Sequence, residues 1–189
     1  MTTLAPRRTF TPDDLLRLRD SPKRYELVDG RLEVLSVSYL SSFVAGRLCK
    51  LLSIYVESHN LGWVAPEGTS LQCFSRHPDR VRKPDVCFHS LERLSHAQAI
   101  SEGHLSVVPN LVVEVISPQD RAVRVNTKLN EWVEAGVPLI WLVYPEDQQV
   151  RAFSTGGVVR TFEPRDILTG DPVLPGFAVP VAELFRLPA

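Results

Sequence analysis

Apolar and polar positions alternate with period two from Arg24 to Val28 and again from Arg31 to Leu35, on either side of Asp29-Gly30. Period two marks a strand with unlike faces, and Asp-Gly supplies the positive φ angles of a tight turn. The two runs therefore predict a hairpin, with Glu26 on its first strand. The period then changes: Val44, Leu48, Leu51, Leu52 and Tyr55 recur at helical spacing between Ser41 and Ser58, with Ser41 or Ser42 as N-cap. A short helix is predicted ahead of the hairpin, where Thr11-Pro12-Asp13-Asp14 offers a cap, a first-turn proline and an acid before Leu15, Leu16 and Leu18.

Further on, Gly62 to Phe74 reads as extended, and Val86 to Phe88 as a strand entered through Pro84-Asp85, with a basic turn between them. The run Leu111-Val112-Val113-Glu114-Val115-Ile116 has the pattern of a strand covered on both faces, broken by one charge. Ser117-Pro118-Gln119-Asp120 then reads as a helix opening, followed by an apolar stripe of Val125, Leu129, Trp132 and Val133 that Gly136 and Pro138 end. Leu139 to Tyr144 is a second apolar strand, and Val150 to Phe153 with Val158 to Phe162 reads as a meander turning at Gly156-Gly157. Prolines at 164, 172, 175, 180 and 188 predict an irregular tail that packs Leu174, Phe177, Leu184 and Phe185 on the core.

Composition narrows the function classes. The 189 residues are 44% hydrophobic and 23% charged, close to a soluble globular average, and fit one domain over 1–189 with 1–9 as a flexible arm. A net charge of -1 leaves no global basic field, so any phosphate binding is local. Met1 to Arg8 lacks an apolar signal region and no run is long enough to span a bilayer, so a cytoplasmic protein without a membrane partner is expected. Cys49, Cys73 and Cys87 are odd in number and far apart, which fits neither a disulfide framework nor a zinc ribbon. No histidine pairing, G-x-S-x-G, G-x-G-x-x-G or P-loop pattern is present, which removes those hydrolase, dinucleotide and nucleotide-binding readings.

The chemistry lies in a few acids and one lysine. An ionised Glu114 inside an apolar strand costs several kcal/mol unless a cation compensates it, and Arg121, Arg124 and Lys128 share a helix face that can lean over it. Asp85, fixed by Pro84 at a strand entrance, is a second acid, and Glu26 a third. Carboxylates converging near a lysine form an oxygen-donor site suited to Mg²⁺ shared with a substrate phosphate. Taken singly, Glu114 with Lys128 also reads as a buried ion pair, Asp85 as part of a turn and Glu26 as an exposed hairpin acid. Arg76, Arg80, Arg82 and Lys83 place four positive charges just before Asp85, either a tract that follows a phosphate backbone or a solvated basic loop.

The ordered set Tyr25-Glu26-Leu27-Val28-Asp29-Gly30, Lys83-Pro84-Asp85-Val86, Val112 to Pro118, Lys128 and Ala135-Gly136-Val137 resembles the Uma-type family of bacterial putative restriction endonucleases, within the PD-(D/E)XK nuclease superfamily. The likeness runs from about residue 10 to 186, and includes Leu174-Pro175-Gly176-Phe177 and Val181 to Phe185 near the end. It implies an α/β (α+β) fold, a restriction-endonuclease-like mixed central sheet flanked by helices. It also implies Asp85 and Glu114 as metal ligands for Mg²⁺ (or Mn²⁺), Lys128 as a catalytic lysine supplied by the next helix because Ile116 occupies the motif position, and Glu26 as a further catalytic acid. The sequence departs from the pattern at Ser36-Val37-Ser38-Tyr39, at Ser41, where many relatives have histidine, and at Tyr144, where an aspartate is common.

Two functions follow as expectations. The first is a Mg²⁺-dependent endonuclease acting on DNA, expected as a homodimer because two symmetric sites suit the two strands of a duplex. The second is an inactive nuclease-like scaffold that binds nucleic acid or a protein partner, its Glu114 and Lys128 pair serving stability.

Overall fold

The computed structural model describes residues 9–18, 20, 21, 23–35 and 38–188. The arm expected over 1–9 lies outside them except for Thr9, as do Ser36 and Val37. The chain opens with helix α1 (Pro12–Arg17), capped by Thr11 in a capping box with Asp14, and the hairpin β1 (Tyr25–Val28) and β2 (Arg31–Val34). Asp29 and Gly30 adopt φ of 46° and 72° at its turn, as the Asp-Gly signal requires. The long helix α2 (Tyr39–Ser58) starts two residues before Ser41, the earlier of the two expected caps Ser41 and Ser42. Ser38 is the N-cap, and Ser41 is its capping-box partner, the two hydroxyls 2.9 Å apart.

Next come β3 (Gly62–Pro66), β4 (Val86–Ser90), the single-turn helix α3 (His96–Ala99), β5 (Leu111–Val115), α4 (Ala122–Glu134), β6 (Leu139–Tyr144), β7 (Gln149–Ser154) and β8 (Val158–Phe162). Six of these strands form one sheet in the order β3-β4-β5-β6-β7-β8, parallel between β5 and β6 and antiparallel elsewhere. The parallel pair is bridged by α4, the crossover such a pair needs. The extended reading of Gly62 to Phe74 holds only to Pro66; beyond it Leu71 alone makes isolated bridges, to Arg82 and Leu105.

Side-chain alternation divides β5 between two layers. Leu111, Val113 and Val115 face α2 and join Val44, Leu48, Leu52 and Val56 in one cluster. Burying each such aliphatic side chain contributes about 1.5–3 kcal/mol. Val112 faces α4 and packs with Trp132, Ile140 and Leu142, and Glu114, two residues on, shares that face. The tail is more regular than its prolines predict: β9 (Ile167–Gly170) and β10 (Leu174–Pro180) form a hairpin and α5 (Val181–Phe185) follows. Leu174, Phe177, Leu184 and Phe185 are all buried in the α2 layer, and Arg47 of α2 donates to the Glu183 carbonyl at 2.7 Å. Pro164 and Pro172 lie in turns, Pro175 in the irregular start of β10 and Pro180 at its end, where no regular ladder donor is required, and Pro188 follows α5.

Candidate active site

Asp85 and Glu114 meet because β4 and β5 are antiparallel neighbours. The register Val86↔Val113, carried one residue further, sets Asp85 across from Glu114. Opposite residues of an antiparallel pair have Cβ atoms about 5 Å apart on one face. Asp85 is fixed at both ends of its dipeptide: its N–H donates to the Val113 carbonyl at 3.2 Å, and its Oδ2 accepts from the Val115 N–H at 2.6 Å. Among the described residues its other oxygen has no hydrogen-bond donor.

Lys128 comes from α4, which begins at Ala122 rather than at the expected Ser117 opening. The stretch from Ser117 to Asp120 is a turn closed by Asp120 Oδ2, which accepts from the Ser117 N–H at 2.8 Å and its hydroxyl at 2.9 Å. Lys128 Nζ lies 2.8 Å from Glu114 Oε2 and 2.9 Å from Glu26 Oε1. One turn later on the same helix face, Trp132 Nε1 donates to Glu114 Oε1 at 2.8 Å. Sequence reading placed Trp132 in the apolar stripe; its i, i+4 spacing from Lys128 was the available sign that both reach one target.

Glu26 is not the exposed hairpin acid of the plain reading, since only 2% of it is exposed. Its Oε1 also accepts from the Lys83 N–H at 2.8 Å, and its Oε2 takes Arg82 Nη1 at 2.8 Å. The hairpin is brought here by paired backbone bonds between Leu27 and Val81, both 2.9 Å, with Leu15 packed against them. Cross-strand register sets Glu26 against Glu33, a repulsive pair that Arg82 bridges by touching both.

Arg80 and Arg82 of the basic segment before Asp85 turn inward, against its reading as a phosphate tract or a solvated loop, while Arg76 to Asp79 stay exposed as the loop reading expects. Arg80 and Arg82 are buried on Glu131, at 3.4 Å and 2.7 Å, and Arg80 also meets Asp29. Arg76 pairs with Glu134. Sequence reading missed this arginine ladder and Glu131, because the partners lie about fifty positions from one another along the chain.

Burial dominates the titration of the two acids that face the cleft. It pushes Asp85 up to about 6, against the opposing pull of Lys128 and the Val115 N–H, with Glu67 and Glu26 adding repulsion. It pushes Glu114 up to about 8 in the same way, with Asp85 and Glu26 raising it further. Glu26 goes the other way: burial would raise it, but Lys128, Arg82 and the Lys83 N–H together hold it below the ordinary range. Burial would lower Lys128, yet Glu114, Glu26 and Asp85 outweigh it and keep the ammonium protonated.

These groups line a cleft of about 210 Å³ between the β1–β2 hairpin and α4. No three His, Cys, Asp or Glu side chains among the described residues converge as a ready ligand cluster. A cation would therefore rest on Asp85 and Glu114, with Glu26 committed to Lys128, Arg82 and Lys83. The donor set still fits a hard divalent ion: two carboxylates meet at one sheet position in the cleft, and one oxygen of Asp85 has no hydrogen-bond donor among the described residues. No helix among the described residues is long and apolar enough to cross a membrane.

The fold is shared with the crystal structure of a putative nuclease belonging to DUF820 from Anabaena variabilis. That chain aligns over 93% of this one and 97% of its own length, with a TM-score of 0.77 and 17% identity. No curated protein matches the sequence significantly. Residues 12–182, which hold all four candidate residues, match the Uma2 family, described as "putative restriction endonuclease". By that match over nearly its whole length, the chain belongs to the Uma2 family.

Proposed function

We propose that the protein is a metal-dependent endonuclease that hydrolyses phosphodiester bonds of DNA. The observation that carries the reading is Lys128, delivered by a separate helix to 2.8 Å from Glu114 in the cleft that Asp85 also lines. Membership in a family described as restriction endonucleases supports it. Asp85 and Glu114 would hold Mg²⁺ or Mn²⁺, which supplies Lewis-acid stabilisation of charge on a phosphoryl oxygen.

Hydrolysis joins a water oxygen to phosphorus, breaks one phosphorus–oxygen ester bond and leaves the departing oxygen protonated. Lys128 holds its proton on Nζ through this change and neutralises charge on the pentacovalent transition state. Glu26 is a positioning residue: it fixes the ammonium at 2.9 Å and is itself fixed by Arg82. The cytoplasm is the proposed compartment, and a homodimer the proposed assembly wherever both strands of a duplex are cut.

A second reading rests on a specific observation. Both oxygens of Glu114 and of Glu26 already accept from protein donors, so these two acids and Lys128 are satisfied as a buried ion network with no metal at all. A scaffold of this kind binds a partner and turns over nothing. Plasmid and labelled single-stranded DNA, incubated with Mg²⁺, Mn²⁺ or EDTA, separate the two. The nuclease predicts metal-dependent cleavage by wild type that Asp85→Asn and Lys128→Ala abolish, and absence of cleavage by folded wild type on both substrates overturns it.

A further inference from the structure

A second cavity, of about 390 Å³, lies at the edge of the sheet formed by β3 and is lined by Trp63, Ser70, His89, Leu94, Ala99 and Leu105 among others. It shares no residue with the cleft, although the adjacent Glu67 and Gly68 line one each. Its volume falls within the range of roughly 300–1,000 Å³ usual for small-molecule sites. No aspartate, glutamate, lysine or arginine lines it. A phosphate or carboxylate entering it would give up water without meeting a cation, so the lining favours a neutral occupant.

Two side chains give that occupant its chemistry. Trp63 and His89 are partners across β3 and β4 and so stand on one face of the sheet. His89 is only 1% exposed, and its Nε2 lies 3.1 Å from the Val107 carbonyl, which can only accept. Nε2 therefore carries the ring proton. Burial pushes the His89 pKa below its ordinary value, against the Val107 carbonyl and with Arg93 adding to the fall, so the ring is neutral. Nδ1 is then a bare acceptor, and among the described residues nothing donates to it. Trp63 is half-buried, and its Nε1 donates to the Leu94 carbonyl at 3.2 Å, which leaves the indole to offer an apolar ring face and not a donor.

We infer that this cavity is a binding site for a small, neutral, flat heteroaromatic molecule, whose ring N–H donates to His89 Nδ1 while its face packs on Trp63. The acceptor selects for the donor, because a ligand without one leaves a buried nitrogen unpaired. The missing charges select against anionic relatives of the same ring. The inference goes beyond the nuclease reading and does not depend on it, since the cavity and the cleft have no lining residue in common.

The test is calorimetric titration of the full chain near neutral pH with three probes. Indole carries the ring N–H, benzofuran has the same shape with oxygen in its place, and indole-3-acetate adds a carboxylate. Indole is expected to bind with a dissociation constant on the order of 0.1 mM, benzofuran roughly tenfold more weakly, and indole-3-acetate at least as weakly as benzofuran. His89→Phe keeps a ring but removes the acceptor, and should bring indole down to the level of benzofuran. Ala99→Trp, at an exposed position on the cavity wall, should block binding, whereas Val123→Trp, at the mouth of the cleft, should leave it unchanged. If His89→Phe does not fold, the contrast between indole and benzofuran and the two tryptophan variants still decide. Equal binding of indole and benzofuran, loss of binding in Val123→Trp but not in Ala99→Trp, or no binding to folded wild type at millimolar indole overturns the inference. The probes carry no phosphate and the titration contains no DNA, so its failure leaves the nuclease reading standing, and absence of DNA cleavage leaves this inference standing.

Discussion

The two faces of β5 receive the same kind of strand and do opposite things with it. On the α2 face, Leu111, Val113 and Val115 pack in one apolar cluster with Leu48, Leu52 and Trp141. On the α4 face the same strand presents Val112 and Glu114, and the helix answers with Trp132 and Lys128. One face is held by apolar burial and accepts no charge. The other spends stability on a buried carboxylate that must be compensated. An entirely apolar layer behind the strand is what allows the front to carry that cost, and the side chain that distinguishes the faces is the one aimed into the cleft.

Exchanging the characters of the faces should have the largest effect. Val113→Asp puts a carboxylate where no cation lies within the cluster, and should destabilise the fold by more than about 4 kcal/mol in urea unfolding, enough to leave little folded protein. Lys128→Met removes the compensation instead, leaving Glu26 and Glu114 facing each other, and should cost about 3–5 kcal/mol. Adding Glu114→Gln to Lys128→Met removes one of the stranded charges and should recover at least about 1 kcal/mol, a coupling that no substitution on the α2 face reproduces.

A smaller effect sharpens the contrast through pH. Asp85 is raised from 3.8 to about 6 in the folded protein, so between those values the folded state keeps a proton that the unfolded chain releases. Its contribution to stability is therefore greatest below pH 4, falls as pH rises to about 6, and is flat above. Without metal, wild type should lose stability relative to Asp85→Asn across that window, and at pH 8 the variant should melt a few degrees higher. Thermal melts at intervals from pH 4 to 8 read the difference, and a variant less stable than wild type throughout would count against a charge-excess cleft.

The pattern of the strands and the long helix was legible from the sequence because periodicity is local: the Asp29-Gly30 hairpin, β5, β6 and the β7–β8 meander follow from it. The ends of elements were less so. Ser36, Ser38, Ser41 and Ser42 are equivalent as caps in one dimension, and only the geometry of the capping box selects Ser38. Ser117-Pro118-Gln119-Asp120 satisfies a turn as well as a helix start, since Asp120 bonds back to Ser117 in either case. At the site, Glu114 and Lys128 stood out because a charge in an apolar strand demands a partner within reach of the next helix. The role of Arg82 did not, because a basic turn and a buried arginine ladder have the same composition and differ only in which distant glutamates they meet.

The proposed nuclease requires the α4 face to bind a cation, beyond holding a satisfied ion network. Melting temperatures of wild type and Asp85→Asn, titrated with Mg²⁺ and Mn²⁺ against EDTA, test it directly, because an ion that binds only the native state stabilises by mass action. At a free ion concentration a hundred times its dissociation constant, wild type should gain about 2.7 kcal/mol, visible as a rise of several degrees, while Asp85→Asn stays at its EDTA value. An equal rise in both proteins, or none in wild type at millimolar metal, would contradict the claim.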